Sequence, residues 1–481
     1  MALYSLMGEQ GSEGASQRAS KSASWRVGKL ASWRVGELAS WLYPTLAAKT
    51  KTRRGWGTRR RYIVSVQVGV AAVQGGRAQF GANWFGRVDE SDMLKEQAVN
   101  HGDEMTKPTI HPLGRILESR IAIIDGATGT TIRAYGMKEA DIRGERFKNA
   151  KKDLLNNGDL FTLTQPELIG DIHRRFLEAG ADIIETNTFG ATSIAQSEFF
   201  VDDPREHGGR KDPEFYQKVI EDPFLKDLAW EINEQSARTG REWADRVANA
   251  TERQRFVAGA LGPLTVSLSN SPDADDPGFR VVTFDQVKTA YAEQARALIA
   301  GGPGLGVDLL LVETIFDTLN AKAALVAIRE VFDEEGRELP VIISAAVGRG
   351  GETMISAQTI EAFWNAVEHA KPLAVGLNCS LGPDLMAPFL RELAEKAGVA
   401  VSCYPNAGLP NPLSATGFDL GPADMARYLS GFAREGLINI AGGCCGNTPE
   451  HIAAIAKALD GLPPRKLPAA DEEARAIESA A

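Results

Sequence analysis

Histidine and cysteine are both scarce in this chain, with six histidines and four cysteines among 481 residues. So few cysteines, with no secretory leader read at the start, give no disulfide framework and point to a reducing, cytoplasmic setting. Long apolar runs are missing too. None approaches the roughly 18 residues of a membrane-crossing helix, so no membrane association is expected. A basic surplus is absent from most of the sequence. Residues 1–104 carry 15 Lys+Arg against 9 Asp+Glu; subtracting these from the totals of 53 and 63 leaves 38 against 54, a net of −16 for the remainder. A body that acidic offers no face to phosphates, which excludes a nucleic-acid partner. Residues 1–104 lack periodicity: they hold five of the eight tryptophans, a near-tandem octapeptide (ASWRVGKL at 23–30, ASWRVGEL at 31–38) and the cluster Arg53, Arg54, Arg59, Arg60 and Arg61, yet no helical or strand repeat. Glu9, Glu13 and Glu37 sit badly in a transit peptide. We read 1–104 as a low-order basic extension, with a true start near Met93 or Met105 as one account of it, 105–465 as one domain, and 466–481 as a flexible tail.

What cysteine there is lies concentrated. Cys379 stands in GLNCS, and Cys444 and Cys445 stand in GGCCG, two glycine-flanked patches. Adjacent cysteines bridge each other poorly, so three thiolates converging on one ion is the better account. Three protein ligands leave a tetrahedral zinc one open position, the catalytic rather than the structural pattern. His101, His111, His173, His207, His369 and His451 all fall outside both patches, so the ligand set is all sulfur. The competing account is a structural zinc or plain buried thiols; a structural ion normally takes four protein ligands, and no fourth suits. Cys403 is expected to be a buried apolar filler.

From residue 121 a rhythm sets in. Eight β-branched runs, IAIIDG (121–126), ADIIETNT (181–188), RFVAGALGP (255–263), VDLLLVETI (307–315), LPVIISAAV (339–347), PLAVGLNCS (372–380), AVSCYPNAG (400–408) and INIAGGCCG (438–446), alternate with amphipathic helical stretches. Near-continuous apolar strands alternating with helices imply a parallel sheet buried on both faces, and eight such units predict an α/β fold of the (β/α)8 TIM-barrel type, with an open doubly wound sheet as the alternative. In such barrels the chemistry sits at the C-terminal strand ends. There the sequence places DGATGT, ETNTFG, ETIFD, Cys379, Asn406 and the Cys444–Cys445 pair. Gly442 and Gly443 are expected to supply the bend that lets adjacent cysteines share an ion. DGATGT lacks the lysine of a P-loop.

These motifs, DGATGT, ETNTFG, ETIFDTLNAKAA, GLNCSLGPD, YPNAGLPN and GGCCGNTPEHI in this order, resemble the homocysteine-binding barrel of cobalamin-dependent methionine synthase from about Ile110 to Pro464. The resemblance implies a (β/α)8 barrel in which cysteines matching Cys379, Cys444 and Cys445 hold zinc and the substrate thiol joins as a further ligand, Asn406 filling the open position when homocysteine is absent. Full-length members of that family continue into folate-binding, cobalamin-binding and reactivation modules, whereas this sequence ends in a Pro-, Ala- and Glu-containing tail. Thr128 also replaces a residue that is often bulkier in the family.

The chemistry implied is methyl transfer to sulfur. A thiol attacks as its thiolate, and zinc deprotonates it at neutral pH. The substrate ammonium needs carboxylates, for which Glu313 and Asp125 are the candidates, and its carboxylate needs N–H donors, for which the backbone at Ala127 and Thr128 is the candidate. Glu185 and Asn187 would line the same mouth. A carboxylate at a strand end also often caps the next helix, a role that could fall to Glu185 or Glu313 and that suits Asp317. The expected function is a zinc-dependent homocysteine S-methyltransferase making methionine, the homocysteine half of a split methionine synthase whose methylcobalamin rides on a cobalamin- and folate-binding partner chain. Two alternatives are kept: a small methyl donor such as betaine or S-methylmethionine, and a non-catalytic zinc- or thiol-binding subunit.

Overall fold

The structure is a computed structural model that describes residues 111–300, 306–411, 414 and 417–468, together with four short strands nearer the N-terminus. The chain divides into two compact units, Met1–Lys107 and Pro108–Ala481. In the first unit β1 (Tyr62–Gln67) pairs antiparallel with β4 (Asn83–Val88), and β2 (Ala72–Gln74) pairs with β3 (Arg77–Gln79). The rest of the extension, including the octapeptide repeat and the arginine cluster, lies outside the described residues, as does the tail from 469 onward.

The second unit holds the eight parallel strands, each inside the run that the sequence assigns to it: β5 (Ala122–Ile123), β6 (Ile183–Glu185), β7 (Phe256–Leu261), β8 (Leu309–Ile315), β9 (Val341–Ala345), β10 (Ala374–Asn378), β11 (Ala400–Tyr404) and β12 (Ile440–Ala441). Their order in the sheet is β5-β12-β11-β10-β9-β8-β7-β6. A parallel bridge between Ile124 and Ile183 brings the two edge strands together, giving a nearly closed barrel. Every residue of β7, β8, β10 and β11 is buried, because one face of each strand looks into the barrel and the other meets the helices.

Two apolar cores follow from that geometry. The larger lies between strands and helices and includes Phe176, Ile232, Leu298, Val331, Phe363 and Cys403. The smaller fills the barrel: Ala122, Phe256, Leu309, Ala374 and Ala400, from the strand beginnings, meet Leu113 and Leu117 of helix Pro112–Ser119. That helix therefore plugs the floor. Because side chains alternate with a period of two, the same inward rows continue upward into Glu185, Glu313, Ser344, Asn378, Ser402 and Tyr404. Apolar below and polar above, the barrel interior confines chemistry to its C-terminal end. Prolines at the first turn open seven of the described α-helices, among them Pro166–Glu178, Pro383–Lys396 and Pro449–Leu459, where their missing N–H costs nothing.

Candidate metal and substrate site

Cys379, Cys444 and Cys445 meet at the C-terminal mouth. Their sulfurs all lie within 4.8 Å of one another, with Cys379 Sγ 3.9 Å and Cys444 Sγ 4.0 Å from Cys445 Sγ. A tetrahedral zinc with Zn–S bonds of roughly 2.3 Å sets its sulfurs about 3.8 Å apart. The three thiols are therefore spaced as a shared ion would need, and they are the only such group of ligands among the described residues.

Local backbone explains how a strand can present them. Cys379 has φ +58° and Ser380 φ +53°, so β10 ends in a left-handed turn that is unusual outside glycine and swings Cys379 off the alternating pattern. Cys444 to Asn447 form a β-turn closed by the Asn447 N–H on the Cys444 carbonyl at 3.1 Å, with Gly446 at φ +82° in the third position. The turn puts consecutive thiols on one side. Gly442 and Gly443, expected to provide the bend, have no left-handed φ. They are needed for close approach: a Cβ on Gly442 would strike Ile124, and one on Gly443 would strike Asn447. Asn406 ties the patches together, its N–H donating to the Leu381 carbonyl at 3.0 Å and its Oδ1 accepting from the Cys445 N–H at 3.1 Å.

Three thiols this close share charge. Hydrogen bonds from Cys379 and then Cys444 hold Cys445 down to about 3 against burial. At Cys379 the Cys444 thiol pulls downward, but Cys445 and burial outweigh it and leave the group pushed up to about 12. Cys444 is raised by Cys379, Cys445 and burial. A bound dication is what would let all three ionise. Cys403 is not in the cluster. It is buried in the outer core, 3.7 Å from Met386 Sδ.

Asp125, Glu185 and Glu313 form a second group at the same mouth. Asp125 is 2% and Glu313 4% exposed. Burial raises all three: Glu313 to about 8, Asp125 with a further push from Glu313, and Glu185 with further pushes from Glu313 and Asp125. Asp125 Oδ2 accepts the Glu185 N–H at 3.1 Å, while Oδ1 is buried without a partner. No ion pair among the described residues engages any of the three. Two buried carboxyl groups with a part-buried third and no cation are costly; a bound ammonium would relieve that cost.

The remaining predicted residues sit nearby with other ties. Ala127 is the N-cap of helix Thr128–Ala134 and offers no capping side chain; the helix's Thr130 Oγ1 accepts the Gly446 N–H at 3.3 Å, linking it to the cysteine turn. Asn187 spends its amide nitrogen on the Gly158 carbonyl and the Thr162 hydroxyl, at 3.0 and 3.1 Å. Asp317 does cap helix Thr318–Glu335, and it also receives Ser267 Oγ, Ser269 N–H and Ser269 Oγ, clamping the loop that follows β7. Sequence reasoning missed Asn378, Ser344 and Tyr404. All three face the interior, and inward parity counted from Ala374, Ile342 and Ala400 was the signal that could have found them.

The sequence profile described as Homocysteine S-methyltransferase matches residues 122–459, from the first barrel strand to the last helix. Among solved structures, the metallated form of the homocysteine methyltransferase MmuM from Escherichia coli is 18% identical, covering 71% of this chain and 96% of that one with a TM-score of 0.50. The oxidized form of the same protein is 19% identical over 70% of this chain and 95% of that one, at a TM-score of 0.49. At such identity the likeness is one of fold. The profile spans well over half the sequence and runs through both cysteine patches and all three carboxylates, so the chain belongs to the homocysteine S-methyltransferase family and is a methyltransferase.

Proposed function

We propose that this methyltransferase makes methionine from L-homocysteine, with zinc held by Cys379, Cys444 and Cys445 and the methyl group delivered from methylcobalamin on a separate cobalamin- and folate-binding chain. The observation that carries the reading is the pairing, at one barrel mouth, of a three-sulfur cluster with two buried carboxylates, Asp125 and Glu313, and the part-buried Glu185 beside them. Homocysteine carries a thiol at one end and an ammonium at the other. Zinc bound to the cysteines would supply the positive charge that keeps the substrate thiol ionised at neutral pH. Glu313 and Asp125, with Glu185 beside them, hold the ammonium. The first-turn N–H groups at Ala127 and Thr128 take the substrate carboxylate, and Asn187 keeps the neighbouring loop in place. Asn406, whose Oδ1 accepts the Cys445 N–H, would be the oxygen donor available to the ion in the absence of substrate. In the transfer itself a sulfur lone pair forms the S–CH3 bond and the electron pair of the broken bond stays with the donor, so no general base is required once the thiol is ionised.

The test is zinc K-edge X-ray absorption with and without L-homocysteine. Three sulfurs and one lighter ligand should become four sulfurs on addition of substrate. An unchanged shell, or a protein that binds zinc but no homocysteine, would reduce the cysteine cluster to a structural, non-catalytic zinc site. Single-turnover assays with methylcobalamin, betaine and S-methylmethionine then separate the donors, and turnover with a small donor alone would replace the partner-chain reading.

A further inference from the structure

Strand β8 slips in register against β9 between Val312 and Ile315, so that Glu313 and Thr314 together oppose Ser344. Thr314 has φ +52°, a left-handed conformation that is a genuine outlier for a β-branched residue. A bulged residue loses its ladder partner. Here the Thr314 N–H donates to Asn378 Oδ1 at 3.1 Å, and that oxygen also accepts from Ser344 Oγ at 2.7 Å. The Asn378 amide nitrogen donates to Thr314 Oγ1 at 2.7 Å and to Glu313 Oε2 at 3.3 Å. Asn378 is fully buried, and its whole amide is spent on the bulge and on the carboxylate that the bulge presents.

We propose that Asn378 is a positioning residue that fixes the Glu313 carboxylate, through the Thr314 bulge, at a set distance from the sulfur cluster. The inference rests on the reading of Glu313 as the ammonium acceptor. Asn378 immediately precedes Cys379, whose left-handed φ turns its sulfur into the cluster. The dipeptide at the end of β10 therefore serves both ends of the site, Asn378 reaching across β9 to β8 for the amine end and Cys379 offering its sulfur to the cluster that would hold the ion at the thiol end. Alternation along a regular strand would send consecutive side chains to opposite faces; the turn at Cys379 is what brings the two into the same mouth.

The test is calorimetric titration of zinc-loaded wild type, Asn378→Ala and Ser344→Ala with L-homocysteine and with 4-mercaptobutanoate, which keeps the thiol and lacks the ammonium, alongside metal analysis. Asn378→Ala should bind L-homocysteine about tenfold or more weakly, bind 4-mercaptobutanoate as the wild type does, and hold zinc at full stoichiometry. Ser344→Ala, which removes one bond to Asn378 and leaves the rest, should show the same split at smaller amplitude and decides the question if Asn378→Ala does not fold. Unchanged homocysteine affinity overturns the proposal, as does an equal loss for both ligands, which is the mark of a merely structural role. A wild type that prefers L-homocysteine no more than 4-mercaptobutanoate would instead overturn the ammonium reading of Glu313, and this inference with it.

Discussion

Lowering the pH should strip stability from this fold through one histidine that the chemistry does not use. His173 lies in helix Pro166–Glu178, fully buried, with neither ring nitrogen hydrogen-bonded. Burial pushes it from 6.5 down to about 4, because an imidazolium there would have no solvent and no partner. Its folded-state value is depressed. Above 6.5 the ring is neutral folded or unfolded and contributes nothing; as pH falls further, the unfolded chain takes up the proton and the folded one does not, so stability drains until about pH 4. Linkage puts the loss between pH 7 and pH 5 at about 2 kcal/mol, rising to about 3 by pH 4. Asp159 works against it. Burial, opposed by N–H bonds from Gly190 and Phe189, raises Asp159 to about 7, so its penalty is full above pH 7 and is relieved as pH falls. A raw stability profile would mix the two, and the clean quantity is the difference between wild type and His173→Leu. Urea unfolding at both pH values should find the variant's drop from pH 7 to pH 5 smaller by about 2 kcal/mol. Parallel profiles for the two proteins would refute the argument and mean that His173 has a partner or solvent access when folded.

Replacing Cys379, Cys444 or Cys445 singly by Ala should take zinc well below one per chain and abolish turnover, as metal analysis and a methionine-formation assay would show; one such variant with full zinc and normal rate would sink the site. Glu313→Gln keeps the shape and removes the charge, so the KM for L-homocysteine should rise roughly ten- to a hundredfold, the worth of a charge-assisted hydrogen bond, with zinc content unchanged. An unaltered KM would place the ammonium elsewhere. Gly442→Ala drives a Cβ into the side chain and carbonyl of Ile124 and should cost about 1–3 kcal/mol; a wild-type Tm would mean that β12 has room to move.

Much of the barrel was legible because its signals are local. An apolar run of five or six residues followed by a helical period states its own structure, and all eight strands fall inside runs that such periods mark. The meeting of the three cysteines was legible for a different reason: sulfur is rare here, so three thiols in two short patches had few innocent explanations. What the sequence hid was conformation. No propensity announces that Thr314, Cys379 and Ser380 adopt positive φ, since β-branched and cysteine residues disfavour it and only the surrounding bonds hold them there. Gly442 and Gly443 hid a second reason for being glycine, since the sequence suggests only conformational freedom where the structure also needs their lack of a side chain. Asn378 shows why such errors matter for the site. Read as one more polar residue before a cysteine it means little, and by strand parity it should look away from its neighbour's sulfur. Only when the turn at Cys379 and the bulge at Thr314 are both known does its amide become the link between the carboxylate and the sulfur cluster. The two departures from regular backbone are thus coupled, and losing either would separate two halves of a site that the sequence alone presents as unrelated motifs.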